Sequence, residues 1–98
     1  MARFDVFRTA DDALVLDCQS DFLAHLQTRI VAPLLPPTLE PKIADRLNPA
    51  FEIDGDRYVL FPQFMAAVPE ANLLHRVTSL SQHDLTIVAA IDMLLTGF

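Results

Sequence analysis

Apolar and polar positions alternate from the start of this chain. In RFDVFR, Phe4 and Val6 fall on one side and Arg3 and Asp5 on the other, which is strand period. Asp11 and Asp12 then mark a turn. In ALVLDCQ, Leu14, Leu16 and Cys18 share one face, while Val15, Asp17 and Gln19 share the other. The two segments predict an antiparallel hairpin with a loose connection. SDFLAHLQT follows as a loop that carries Phe22 and Leu23. RIVAPL predicts a short strand, and its Pro33 places it at a sheet edge or a bulge, since proline has no N–H for the ladder. The Pro-rich stretch 33–49 leaves room for short strands or one turn of helix but allows no long element. AFEI and DRYVLF flank Asp54-Gly55, a pair suited to a tight hairpin turn with positive φ at both central residues. LLHRVTSL fits either a strand or a loop. Ser81, with Asp84 at capping-box spacing, predicts a helix start, and Asp84 also suits the positive end of the helix dipole. In LTIVAAIDMLL, the residues Ile87, Val88, Ile91, Leu94 and Leu95 share a face, and Ala89, Ala90 and Met93 make much of the rest apolar. Such a helix needs cover on more than one side, which a small domain hardly supplies, so a partner surface is expected.

Composition narrows the picture. At 98 residues and 52% hydrophobic, the chain predicts one globular domain over residues 1–98 with one core. Thirteen acids against seven bases give a net charge of -6, and the bases are scattered, so direct nucleic-acid binding is not expected. The apolar stretch at 85–95 is too short to span a bilayer and is interrupted by Thr86 and Asp92. No secretory pattern opens the chain, and a cytoplasmic protein without membrane contact is expected.

Candidate chemistry is thin. His25, His75 and His83 are far apart and lack metal-ligand spacing, so neither a metal nor a cofactor is expected. Asp54-Gly55-Asp56 has the flavour of a calcium loop but lacks its later ligands, and a hairpin turn explains it better. Cys18 on the apolar face of a strand is expected to be a small core hydrophobe. Ser79, Ser81 and His83 are neighbours in sequence, which does not make a triad. A ribonuclease would need a cation at a phosphate beside an acid and a base. Arg29 or Arg76 with an Asp and a His are the available pieces. For Phe22 and Leu23 two readings stand side by side: a plug folded under the sheet, or a second apolar contact beside the helix tip.

The order FDVF, LDCQSD, RIVAPL, IDGDRYVLF, MAAVP and LSQHDLTIVAAIDMLLTGF resembles the CcdB toxins of bacterial plasmid and chromosomal toxin–antitoxin modules, over nearly the whole chain. The resemblance implies a mainly β (α+β) fold: a small SH3-like antiparallel barrel with a three-stranded extension and one C-terminal α-helix. It implies a homodimer that poisons DNA gyrase by binding the gyrase A subunit and trapping the enzyme on cleaved DNA. Such a toxin is not a catalyst. It also implies a CcdA-like antitoxin that neutralises the toxin and, together with it, represses their operon. In the family, gyrase contacts lie in the loop after QSD and at the tip of the terminal helix. Carried over, these positions are Phe22 and Leu23, then Asp92, Leu95, Thr96, Gly97 and Phe98, with Ile91, Leu94 and Leu95 as candidates for the dimer interface. Asp92 stands where the family has an Asn, Leu95 where it has an aromatic, and Thr96 where it has a Trp.

That last change removes a broad apolar face. Loss of one aromatic hot spot typically costs about 2 kcal/mol or more of binding. Two alternatives to gyrase poisoning therefore remain: an endoribonuclease toxin of the MazF/Kid type, whose usual Gly- and Pro-rich N-terminal motif is missing here, and a degenerate toxin that binds an antitoxin without poisoning gyrase.

Overall fold

A computed structural model describes residues 2–97. Among the described residues, seven strands form one curled antiparallel sheet, followed by a single α-helix. The strands are β1 (Asp5–Thr9), β2 (Leu14–Asp17), β3 (Thr28–Leu35), β4 (Ala50–Ile53), β5 (Asp56–Leu60), β6 (Ala66–Pro69) and β7 (Leu73–Ser79), and the helix is α1 (Asp84–Thr96). Strand order is β4-β5-β3-β2-β1-β7, with β6 also paired to β3. This is the small SH3-like half-barrel, α+β in class, that the resemblance implied. β4, β5 and the end of β3 make a three-stranded wing on it.

The two hairpins form as their sequences predict. β1 and β2 pair in the register Val6↔Leu16, and Asp12 takes φ 62° in the turn between them. Asp54 and Gly55 take φ 53° and 84°, the paired left-handed geometry of a tight hairpin turn. LLHRVTSL resolves as strand β7, which runs along β1.

β3 corrects two expectations. It is neither short nor at an edge: it pairs with β2 on one side and with β6 and then β5 on the other. Pro33 is tolerated because it falls where the partner changes, after Val31↔Ala66 and before Leu34↔Leu60. The Pro33 carbonyl accepts from Phe61 N–H across this gap, and the missing N–H on the same side leaves no rung broken.

The helix start is a second correction. Ser81 is not the N-cap of α1. Ser81–His83 forms a 3-10 turn, α1 begins at Asp84, and no side chain caps it. The Ser79 hydroxyl accepts from Ser81 N–H instead, and the Asp84 carboxylate from Leu85 N–H.

The core lies inside the curl. Phe4, Val6, Leu14, Leu16, Cys18, Leu34, Phe51, Leu60 and Ile87 are among its buried members. A smaller cluster of Phe7, Val15, Val31 and Leu73 covers the other face of the sheet. Both faces of β2 are therefore buried, so Asp17 and Gln19, on the face with Val15, are buried as well. No strand or helix forms between β3 and β4. That Pro-rich segment is held by buried Asn48, whose side-chain amide donates to the Leu60 carbonyl and the Gln63 side chain while its oxygen accepts from Ile43 N–H.

Candidate functional site

Burial along α1 falls toward its C-terminal end. Ile87 and Ala90 are buried and Val88 and Ile91 pack on the core. Leu94 lies in the same angular stripe as Ile87 and Ala90, yet it is 37% exposed, and Leu95 is 68% exposed. The predicted five-residue apolar face is thus split. Its first half packs inward, and Leu94 and Leu95 in its second half stay exposed. Gly97 ends the helix in the left-handed conformation, φ 85°, with its N–H on the Met93 carbonyl.

The loop after β2 reaches this same tip. Asp21–Leu23 forms a 3-10 turn capped by Ser20, whose hydroxyl accepts from Phe22 N–H. Phe22 is 93% exposed, so it is not a plug under the sheet. Leu23 turns toward α1. Together with Leu26, Ile30, Met65, Ile91 and Leu95 it lines an apolar groove of about 400 Å3 between loop and helix. Leu23, Ile91 and Leu95, far apart in sequence, are brought together. Asp92 and Thr96, four residues apart, share a flank of the helix outside the groove, and both are exposed. The Thr96 hydroxyl donates to the Asp92 carbonyl at 2.7 Å, a bond internal to the helix. Phe98, the remaining residue carried over from the resemblance, lies outside the described residues.

Several residues that hold the site escape sequence reasoning. Asp17 and Arg29 form a fully buried ion pair, in which Arg29 Nε and Nη2 donate to one Asp17 oxygen at 2.9 and 2.6 Å. Asp21 accepts from Arg3 N–H at 2.8 Å. Gln19, 6% exposed, donates to the Leu23 carbonyl and accepts from Ile30 N–H. One signal was present: Val15 opposite Leu16 implies burial on both faces of β2, and a buried Asp needs a cation.

The remaining candidate chemistry does not assemble. Burial, with the Asp17 charge adding to it, pushes the Cys18 thiol up to about 12, so it is no nucleophile at neutral pH. Arg29 is enclosed by Asp17, and Arg76 pairs with Asp5 at 3.2 Å. His83 packs its ring 5.0 Å from that of Phe51. Among the described residues no group of three or more His, Cys, Asp or Glu is placed to hold a metal, and no helix is long and apolar enough to cross a membrane.

The family model described as CcdB protein matches residues 3–97. The chain belongs to the CcdB family. It is thereby a member of a family of toxin–antitoxin toxins. No curated protein sequence matches it significantly. Solved structures share the fold of this CcdB-family chain at low identity. An endoribonuclease from Mycobacterial species superposes with a TM-score of 0.80 at 13% identity, covering 97% of this chain and 90% of that one. An endoribonuclease in complex with its cognate antitoxin, also from Mycobacterial species, gives 0.79 at 11%, covering 97% and 94%. The Mycobacterium tuberculosis toxin MazF-mt6 gives 0.75 at 16%, covering 95% and 96%. At such identities the likeness is one of fold.

Proposed function

We propose that this chain, as a single domain of residues 1–98, is the toxin of a type II toxin–antitoxin pair. It binds the gyrase A subunit, traps the gyrase–DNA cleavage complex, and is silenced by a CcdA-like antitoxin. The observation that carries the reading is that Leu23, Ile91 and Leu95 line one groove at the C-terminal end of α1, next in sequence to the solvent-facing Phe22. Exposed apolar side chains clustered on two converging elements are what a protein-docking face requires. Phe22, Leu23, Asp92, Leu95, Thr96, Gly97 and Phe98 form the gyrase-binding set, and Ile91, Leu94 and Leu95 contribute to the homodimer. The complex of one structural neighbour with its cognate antitoxin supports an antitoxin partner for this fold.

The chain works by binding and not by catalysis. A phosphodiester-cleaving site needs a free, accessible cation; of the two candidate arginines, Arg29 is enclosed in an ion pair and the more exposed Arg76 is bridged to Asp5. The test is a gyrase cleavage assay with purified protein, with and without a CcdA-like antitoxin. Accumulation of cleaved DNA that the antitoxin reverses is expected. Cleavage of RNA without any effect on gyrase would replace this reading with the endoribonuclease one. Antitoxin binding with neither activity would mark a degenerate toxin.

A further inference from the structure

The loop that presents Phe22 has an unusual problem. None of its apolar side chains is buried: Phe22 faces solvent, and Leu23 and Leu26 only line the groove, so burial does little to fix its shape. Phe22 is 93% exposed, Leu23 45% and Leu26 39%. Loops held by few apolar contacts sit at the low-stability end of a fold. Something else must hold this one.

Gln19 is placed to do so. The β2–β3 ladder ends with Cys18 N–H on the Ile30 carbonyl at 2.8 Å. Beyond it the backbone turns away, and the next amide of β3, Ile30 N–H, would be left without a partner. The Gln19 side chain takes over: its oxygen accepts from Ile30 N–H at 3.1 Å, and its NH2 donates to the Leu23 carbonyl at 2.9 Å. A primary amide carries the same donor and acceptor as a peptide group, so it continues the ladder where the backbone leaves it. The Gln19 backbone is fixed in turn, its N–H on Asp17 Oδ1 at 3.0 Å, while the other Asp17 oxygen holds Arg29. One buried side chain thus ties the turn that carries Phe22 and Leu23 to the base of β3.

We propose that Gln19 is a positioning residue for the partner-binding face: it clamps the 20–27 loop in the arrangement that sets Phe22 and Leu23 near the tip of α1. The proposal rests on the reading of that face given above. Its effect on binding comes through preorganisation, because a loop already ordered loses less freedom when a partner docks.

Two variants separate the bonds. Gln19→Met keeps the length of the side chain and removes both. Gln19→Glu keeps an acceptor for Ile30 N–H but loses the donor to Leu23. Amide hydrogen exchange is read residue by residue, with core amides of β1 and β2 as the internal reference, and affinity for a gyrase A fragment is measured on the same samples. In Gln19→Met, exchange at Leu23, Ala24 and Ile30 is expected to quicken about tenfold while the reference amides hold, and affinity to fall about tenfold. In Gln19→Glu, Ile30 stays protected and Leu23 and Ala24 quicken. Phe22→Ala, by contrast, weakens affinity with loop exchange unchanged. Loop exchange that stays at the wild-type rate in Gln19→Met overturns the clamp. So does a rise shared equally by the core amides, which would make Gln19 a general stabiliser. Wild-type protein that fails to bind gyrase refutes the assignment of the partner, and the exchange measurements then decide the clamp alone.

Discussion

Replacing Arg29 by Met tests the most consequential buried interaction in the molecule. Asp17 is 0% exposed and Arg29 1%, and both Arg29 donors go to one Asp17 oxygen. Removing the guanidinium leaves a carboxylate in the interior with only the Gln19 N–H for company. Breaking a buried pair in this way costs about 3–5 kcal/mol, against a total stability of about 5–15 kcal/mol for a domain of this size. With a urea slope of about 1.5 kcal/mol/M, the midpoint falls by about 2–3 M. The double variant Asp17→Leu, Arg29→Met is predicted to recover most of that loss. What remains is the bond from Gln19 N–H to Asp17, about 1 kcal/mol. Urea unfolding of both variants at one fixed protein concentration makes the measurement, since dimerisation would otherwise shift the midpoints. A single variant that loses less than about 1 kcal/mol, or a double variant as unstable as the single one, would refute the reasoning that the uncompensated charge sets the cost. The double variant also tests the chemistry. If the protein cleaves RNA through Arg29, the refolded double variant loses that cleavage; if Arg29 is structural, no activity depends on it.

Further predictions concern the site and the thiol. Phe22→Ala should leave stability within about 0.5 kcal/mol, because the ring touches solvent, yet weaken gyrase binding by about 30-fold, read by titration calorimetry. Thr96→Trp should strengthen gyrase poisoning by a similar factor, since the Thr96 hydroxyl bonds only within its own helix; unchanged cleavage would show that the flank of Asp92 and Thr96 is not the contact. Gly97→Ala should cost about 1 kcal/mol of thermal stability from the positive φ alone, as no atom lies within 4 Å of the added carbon. Cys18 is neutral in the fold up to about pH 12 but ionises near pH 9 when unfolded. Its contribution is complete below pH 9 and is lost at about 1.4 kcal/mol per pH unit as pH rises from 9 to 12, a slope that Cys18→Ala should abolish in alkaline unfolding curves.

The parts of the fold legible in the sequence are those set by neighbours along the chain. The alternation around Val6 and from Leu14 to Asp17 forms strands and Asp54-Gly55 forms the tight turn, while Phe4, at φ 71°, and Cys18 lie just outside β1 and β2. What was misread depends on partners distant in sequence. Pro33 signals an edge when β3 is considered alone; it sits centrally because β6 gives way to β5 beside it. Ser81 and Asp84 have the spacing of a cap, but Ser79 supplies the acceptor and a 3-10 turn intervenes. The site shows the same division. Helical period groups Leu94 and Leu95 with Ile87, but only the tertiary fold determines that Ile87 is buried while Leu94 and Leu95 stay exposed. Phe22 could have been a plug or a contact by sequence; its exposure follows from Gln19, Ser20 and Asp21 holding the loop by polar bonds, so that its apolar side chains are not needed for packing. Polar anchoring of an apolar loop is therefore the feature that links the fold to the proposed docking face. It frees Phe22 and Leu23 from the core while keeping them in one place, and a docking surface requires both.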